Sequence, residues 1–280
     1  MNNMLVFQTD FGLVDGAVSA MYGVALSVDA SLRIFDLTHE IPPFDTFEAS
    51  YRLIQSVPYW PEGTTFVSVV DPGVGTKRKS IVVKTRSGHF IVTPNNGSLS
   101  HIYKTIGIEE VREISESVGR RDSSAKSNTF HGRDIYAYTG ALIASNRIAF
   151  EEIGETLSLD DLVILEDMYP EISENEIAGV IETLDVRFGS LWTNISREDF
   201  EKLNVEIGEE IEVEILNGNI SAYKSKVKYA NTFSEVGLGD PLLYNNSMDY
   251  IGLAINQGNF AKAYNIGTRF PWRIILKKSK

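Results

Sequence analysis

The chain has 280 residues, no cysteine and a formal charge of −12, from 26 Lys+Arg against 38 Asp+Glu. With 43% hydrophobic and 23% charged residues it is a globular mixture, long enough for one large domain or two of ordinary size. Without thiols there are no disulfides, thiolate zinc sites or cysteine nucleophile, and the acidic balance argues against nucleic acid, which needs clustered Lys and Arg.

The only dense basic run, Lys77-Arg78-Lys79, is too short for a phosphate-binding patch. Residues 1–7 lack the basic n-region and long apolar run of a signal peptide, and no uncharged apolar stretch approaches ~20 residues. The expectation is a soluble, cytoplasmic protein with neither a nucleic-acid nor a membrane partner.

In chain order, residues 4–8 form an apolar strand that stops at Thr9-Asp10-Phe11-Gly12. Residues 16–28 place Val18, Met21, Val24, Ala25 and Val28 at helical spacing. Residues 33–37 read as a strand and 46–57 as a helix, and the β-rich run 65–70 ends at Asp71-Pro72-Gly73. Residues 80–84 and 90–92 flank Arg86-Ser87-Gly88, a hairpin signal. A helix opens near His131 and runs to about Ser145, with Ile135, Tyr138, Leu142 and Ile143 on its apolar side.

Alternating strands and helices predict an α/β domain over residues 1–165 with a largely parallel sheet. Ligands of such sheets lie outside the carboxyl ends of the strands, where Asp10 and Asp71 fall. After an acidic stretch, residues 150–175, β-rich runs follow at 177–184, 190–195, 209–216, 220–229, 249–256 and 272–276. Asn217-Gly218 is a two-residue hairpin turn. Residues 175–280 therefore predict a C-terminal antiparallel β-barrel or sandwich.

Several residue groups have the chemistry for a site. Asp10 and Asp15 place two carboxylates on a strand-to-helix turn, suited to a sugar diol, an amine or a metal, or simply to helix capping by Asp15. Asp71-Pro72-Gly73-Val74-Gly75 with Arg78 is a tight turn that matches neither the phosphate-cradling loop nor the dinucleotide glycine pattern. His131 is either a base or an ordinary first-turn helix residue. Around Gly189, Asp185, Phe188, Ser190 and Trp192 form either a β-bulge or a stacking platform for a planar ring. His39, His89 and His101 have no metal spacing, and His39 beside Glu40 suits a surface or supporting role.

Taken together, the segments resemble the S-adenosyl-L-methionine (SAM) hydrolases that form adenosine, the SAM hydroxide adenosyltransferases, whose superfamily includes SAM-dependent fluorinases and chlorinases. The resemblance runs through Thr9-Asp10-Phe11-Gly12 with Asp15, Ile41-Pro42-Pro43-Phe44-Asp45, Asp71-Pro72-Gly73-Val74-Gly75 with Arg78, and Thr93-Pro94-Asn95-Asn96-Gly97. It continues in Phe130-His131-Gly132-Arg133, residues 188–195 and Asn246-Ser247, in that order along the chain. It implies an N-terminal α/β domain, a C-terminal β-barrel and a homotrimer with sites at subunit interfaces.

The resemblance also implies roles. Asp71, Arg78 and His131 match the catalytic Asp, Arg and His of the hydrolases; halogenases carry a tyrosine at the place of Asp71. Only 14 residues separate Arg78 from Thr93, without the loop that fluorinases insert there. Asp10 would bind the ribose hydroxyls, Phe44 cover the sugar, and Phe188, Ser190 and Phe233 surround adenine. Asp15, Asp185 and Ser247 would hold the methionine end, although Met248 stands where halogenases have an Arg. Gly132 would let substrate approach the backbone. SAM is then the substrate, with no cofactor and no metal. The competing expectations are a non-catalytic SAM or adenosine sensor and a metal-dependent nucleoside hydrolase.

Overall fold

The N-terminal unit is built outward from Met4–Thr9 (β1), a strand buried along almost its whole length. The structure is a computed structural model that describes residues 2–122, 124, 129–166 and 169–278. It divides into two units, residues 1–165 and 166–280.

In the first unit β1 is followed by Arg33–Thr38 (β2), Thr65–Val69 (β3), Ser80–Thr85 (β4), Phe90–Pro94 (β5), Ile108–Glu113 (β6) and Thr156–Leu157 (β7). Their order in the sheet is β2-β1-β3-β5-β4-β6-β7. The first four are mutually parallel, and β4, β6 and β7 are antiparallel to their neighbours. The expected parallel sheet thus holds for one half. Parallel neighbours need long crossovers, supplied by helices Ala17–Val28 (α1) and Thr46–Ser56 (α2), whereas the short turn at Arg86-Ser87-Gly88 returns the chain antiparallel.

Helix α1 buries Val18, Met21, Val24, Ala25 and Val28, the five positions that its spacing marked. Asp45 caps α2 by accepting a hydrogen bond from the Glu48 N–H at 3.0 Å. Short helices Ser100–Thr105 (α3) and Glu116–Gly119 (α4) follow. The helix at His131 begins with a π-helical turn, Gly132–Ala137, and continues as Tyr138–Ala144 (α5). It buries more than the expected stripe: Ile135 and Ile143 are joined by Tyr136, Ala137, Thr139, Gly140, Ala141 and Ala144, while Tyr138 and Leu142 are only partly covered. The wider π turn explains the shift, because it rotates the later side chains off a strict 3.6-residue period.

In the second unit the strands are Glu171–Ile172 (β8), Glu176–Leu184 (β9), Leu191–Ser196 (β10), Glu210–Asn217 (β11), Ile220–Tyr229 (β12), Pro241–Asn245 (β13), Tyr250–Ile255 (β14) and Trp272–Lys277 (β15). Seven of them close into a barrel in the order β10-β14-β13-β12-β11-β15-β9, completed by β9 pairing with β10, and β8 adds to β9 outside the ring. Ile177, Ile195, Phe200, Val213, Leu253 and Phe260 lie in its core. All pairings are antiparallel except β12 with β13, where the end of one strand overlaps the start of the next by two residue pairs. Helices Arg197–Glu201 (α6) and Phe260–Tyr264 (α7) lie among these strands. The described residues of the acidic stretch 150–175 give two single 3-10 turns, Phe150–Glu152 and Leu159–Asp161, and the two-residue strands β7 and β8, with residues 167 and 168 outside the described ones. No helix among the described residues is long and apolar enough to cross a membrane.

At Gly140, α5 packs tightly on the sheet: a Cβ there would overlap Val67 of β3 and stand 3.3 Å from Leu5 of β1. Gly140→Ala is expected to destabilise the fold by about 1–3 kcal/mol through overpacking. Gly23→Ala in α1, where a Cβ meets nothing within 4 Å, should instead stabilise by about 0.5–1 kcal/mol through helix propensity. Urea unfolding of the two variants beside the parent measures both.

Candidate active site

Two parallel strands deliver the first two carboxylates. Thr9 of β1 pairs with Val69 of β3, so Asp10 leaves the sheet one residue beyond that pair and Asp71 two beyond, at the same carboxyl edge. Arg78 is held against Asp71 by a two-pronged ion pair, Nε to Oδ1 at 2.7 Å and Nη2 to Oδ2. Its Nη1 donates to Ser80 Oγ at 2.9 Å, and its Nη2 also stands 3.3 Å from His131 Nδ1. The guanidinium lies over the Tyr136 ring, 5.5 Å from the centroid, and the Tyr136 hydroxyl is 3.0 Å from Ser80 Oγ. Every nitrogen of Arg78 therefore has a partner, and its charge is fixed in place.

His131 is buried at the first turn of its helix. Burial lowers its pKa first, followed by the positive charges of Arg78 and Arg120, with Asp71 and Glu116 opposing. Asp71, His131 and Gly132 line a cleft of about 260 Å³ with Asp10, Phe44 and Thr129. A Cβ on Gly132 would stand 3.2 Å from the Phe11 ring and 3.3 Å from Phe130, so the room above this glycine is bounded by two rings of the cleft wall.

Asp10 accepts a hydrogen bond from the Phe44 N–H at 2.8 Å. Burial raises its pKa, with the Phe44 bond pulling the other way and the Asp71 charge adding to the rise. Phe44 has a positive φ of 68° and is 70% exposed, an uncommon pairing for an aromatic residue. The turn that carries Asp10 is anchored from below. Thr9 Oγ1 lies 2.8 Å from His39 Nδ1, the Gly12 N–H donates to the His39 carbonyl at 2.8 Å, and His39 Nε2 meets Asp36 at 3.1 Å and Tyr22 at 3.2 Å. His39 is thus a buried support for the turn, one of the two roles its sequence position suited.

The second unit has its own cleft, about 860 Å³, lined by Asp185, Phe188, Ser190, Trp192, Phe233, Tyr244, Asn246, Ser247 and Asn256, among others. The loop before β10 has its shape set by Asp185, whose Oδ1 accepts from the N–H groups of Arg187 at 3.1 Å and Phe188 at 3.3 Å. Gly189 has φ +70°, and a Cβ there would overlap the Asn259 side chain. Trp192 Nε1 donates to Tyr244 OH at 3.1 Å, and the Tyr244 and Phe233 rings pack at 5.1 Å. Asn246 Oδ1 accepts from the N–H groups of Met248 and Tyr250, which shapes the turn that presents Ser247.

Of the residues singled out in the sequence, Asp10, Phe44, Asp71, Arg78, His131 and Gly132 come together in the first unit, and Asp185, Phe188, Ser190, Phe233 and Ser247 in the second. Asp15 lines neither cleft: its Oδ1 accepts the Ala17 N–H at 2.9 Å. The N-cap of α1 is Gly16, one residue later than the expected Asp15. Sequence reasoning missed Ser80, Tyr136 and Arg120. The Arg78-x-Ser80 spacing, which puts both side chains on one face of an extended chain, was the available signal for Ser80. Among the described residues no three His, Asp or Glu side chains are grouped so as to hold a metal.

Both parts of the chain match known families. Residues 5–154 match the model of the SAM hydroxide adenosyltransferase N-terminal domain, and residues 179–273 that of the corresponding C-terminal domain. The chain belongs to the SAM hydroxide adenosyltransferase family. It is 34% identical over 202 residues to an (R)-S-adenosyl-L-methionine hydrolase of Methanocaldococcus jannaschii, covering 70% of this chain and 68% of that one. It is 29% identical to a fluorinase of an Actinoplanes species, covering 95% of each. A crystal structure of an uncharacterized conserved protein from Thermotoga maritima superposes with a TM-score of 0.90 at 30% identity, over 98% of this chain and all of that one.

The side chains of Asp71 and Arg78 are 6% and 12% exposed, so removal of the cation alone strands a buried carboxylate. Arg78→Ala should cost about 3–5 kcal/mol of stability, and Asp71→Ala added to it should restore part of that loss. Denaturant titration of the two single variants and the double variant tests the coupling.

Proposed function

We propose that this protein hydrolyses SAM to adenosine and L-methionine by attack of water on the ribose C5′ carbon. The observation that carries the reading is the convergence of Asp71, Arg78 and His131 beside the Asp10 cleft. Membership of the SAM hydroxide adenosyltransferase family, with relatives named SAM hydrolases, supports SAM as the substrate. SAM is the substrate in this reading, and no cofactor enters.

The leaving group is a neutral thioether released from a sulfonium, so it needs no proton, and catalysis must act on the nucleophile and on alignment. Water at pKa ~15.7 and a carboxylate at ~3.9 differ by roughly 12 units, about 16 kcal/mol. That nearly fills the ~17 kcal/mol barrier of a reaction turning over about once per second. Asp71 therefore does not make free hydroxide before attack. As the water oxygen bonds to C5′, the C5′–S bond breaks with its electron pair going to sulfur, and the proton of the attacking water passes to Asp71 and on to solvent. Arg78, a donor that cannot act as a base, stabilises the charge developing on oxygen. His131 orients the water. In-line alignment of oxygen, carbon and sulfur contributes several kcal/mol more.

In the same reading Asp10 binds the ribose hydroxyls, with Phe44 over the sugar. Phe188, Ser190 and Phe233 of a neighbouring copy surround adenine, its Asp185 and Ser247 hold the methionine end, and Asp15, exposed outside both clefts of the single chain, joins them in the assembly. The assembly is then a homotrimer, which light scattering of the purified protein would measure as three times the 31.2 kDa chain mass.

Incubation with SAM in heavy-oxygen water should place the label on the 5′ oxygen of adenosine, by mass spectrometry, with equimolar methionine and no effect of chelator. Unlabelled adenosine, tight binding without turnover, or a 5′-halo nucleoside formed only with halide would each overturn the reading. Asp71→Asn and Arg78→Ala should lower kcat about 100-fold or more, with KM changed only a few-fold; unchanged turnover in both discards the assignment.

The pH profile follows from the two perturbed groups. His131 lies below its ordinary 6.5, so the ring stays neutral as pH falls through 6.5, and the acid limb of kcat should sit lower than an ordinary histidine would place it. Asp10 lies above its ordinary 3.8, so the carboxylate that accepts the ribose hydroxyls is lost sooner in acid, and KM should climb at a pH above 3.8.

A further inference from the structure

His131 is approached from both sides by cations. Arg78 Nη2 stands 3.3 Å from Nδ1, and Arg120 Nη2 stands 3.4 Å from Nε2. A neutral imidazole has one lone pair and one N–H, and a guanidinium can only donate. Only one of these contacts can be a true hydrogen bond, and neither closes to the ~2.9 Å usual for an N–H donor. A protonated ring would turn both contacts into donor against donor and cation against cation.

We propose that Arg120 is a positioning residue that, with Arg78, keeps the His131 imidazole neutral, so that the ring orients the attacking water without taking its proton. The part that concerns water rests on the hydrolase reading; the part that concerns the ring does not.

Arg120 is well placed for this. Its side chain is only 8% exposed, and its Nε lies 2.9 Å from Glu116 Oε2. Glu116 is 63% exposed, so solvent screens that anion more than it screens the buried cation, and the Arg120 charge is felt at the ring. Arg78, by contrast, is matched by the buried carboxylate of Asp71. Backbone contacts fix Arg120 relative to the helix that carries His131. Thr139 Oγ1 donates to the Gly119 carbonyl at 3.0 Å, and the Arg121 N–H donates to the Asp134 carbonyl at 2.9 Å. Among the described residues, the charged groups that face the ring are Asp71 and Arg78 from beyond β3 and Glu116 and Arg120 from α4 and the residue after it. On its own helix, Asp134 is paired with Arg133 at 2.7 Å.

The chain has four histidines, which makes direct observation of the ring practical. In full-length protein labelled with ring-¹⁵N histidine, NMR titration should find His131 neutral to lower pH than an ordinary histidine. In Arg120→Gln its pKa should rise by about one unit, a tenfold gain in proton affinity. Arg120→Lys, which keeps the charge on a different side chain, should retain most of the depression. A ring pKa unmoved or lowered in Arg120→Gln overturns the proposal. So does an equal rise in Arg120→Lys, which would mean loosened packing rather than charge. Should Arg120→Gln not fold, Glu116→Gln decides: loss of the anion should lower the ring pKa, and no change or a rise overturns the proposal.

The readout is the protonation of the ring, so it stands or falls independently of SAM turnover. If the ring titration moves while the acid limb of kcat does not, the role of Arg120 at the ring holds and His131 is removed from the hydrolytic step.

Discussion

The Arg78–Asp71 ion pair is the constraint on which the first cleft depends. Asp71 leaves the end of a buried strand, and without its cation the carboxylate would face desolvation with little compensation. The pair in turn fixes where the guanidinium lies, and the guanidinium is then shared with Ser80, the Tyr136 ring and His131. A loop, a strand and a helix meet at one planar group. Arginine suits this place because its rigid fork can satisfy a carboxylate on one edge and still offer donors on another; a lysine ammonium would supply the charge without that geometry.

Much of this organisation could be read from the sequence, and the reasons for the successes and failures are physical. The five buried positions of α1 follow from helical period alone, because that helix packs one face against the helix that follows His131 and joins Leu5 and Phe7 of β1 in one core. β1 announces itself as an apolar run because it is buried on both faces. β6, with sequence IEEVRE, was missed because most of its side chains are only partly covered or exposed and it carries neither a long apolar run nor a clear alternation. β13 was missed for its opening proline and shortness. The antiparallel half of the N-terminal sheet follows from the hairpin at Arg86-Ser87-Gly88, a signal that was present but outweighed by the strand–helix alternation before it.

The candidate site divides in the same way. Strand-end carboxylates are legible because the rule that places ligands at the carboxyl edge of parallel strands acts on chain order. Arg120 was not, since 41 residues separate it from Arg78 and nothing in its neighbourhood marks it. Its reach to His131 is a matter of a long side chain folding back onto a helix start, which no periodicity encodes. Gly189 is an intermediate case: the glycine among polar and aromatic residues was visible, but its cause, a left-handed φ beside the Asn259 side chain, required coordinates.

Asp10 shows how such a cleft can hold a carboxylate that burial disfavours. Its most direct support is the Phe44 N–H, presented by a residue in the left-handed backbone region. A non-glycine residue held at positive φ persists only where its surroundings determine it, and here Asp10 accepts the amide that this conformation exposes. The dependence runs both ways. The ionised carboxylate is the better acceptor, so it favours the turn, and the turn favours ionisation against the opposing effects of burial and of Asp71. From the other side the turn after β1 is held by Thr9, His39 and the paired hydroxyl and carboxylate of Tyr22 and Asp36. The Asp10 carboxylate is thus positioned by two networks that meet only at the strand end. A sugar hydroxyl entering the cleft would find an acceptor whose orientation has already been determined by folding, and little ordering would remain for binding to supply.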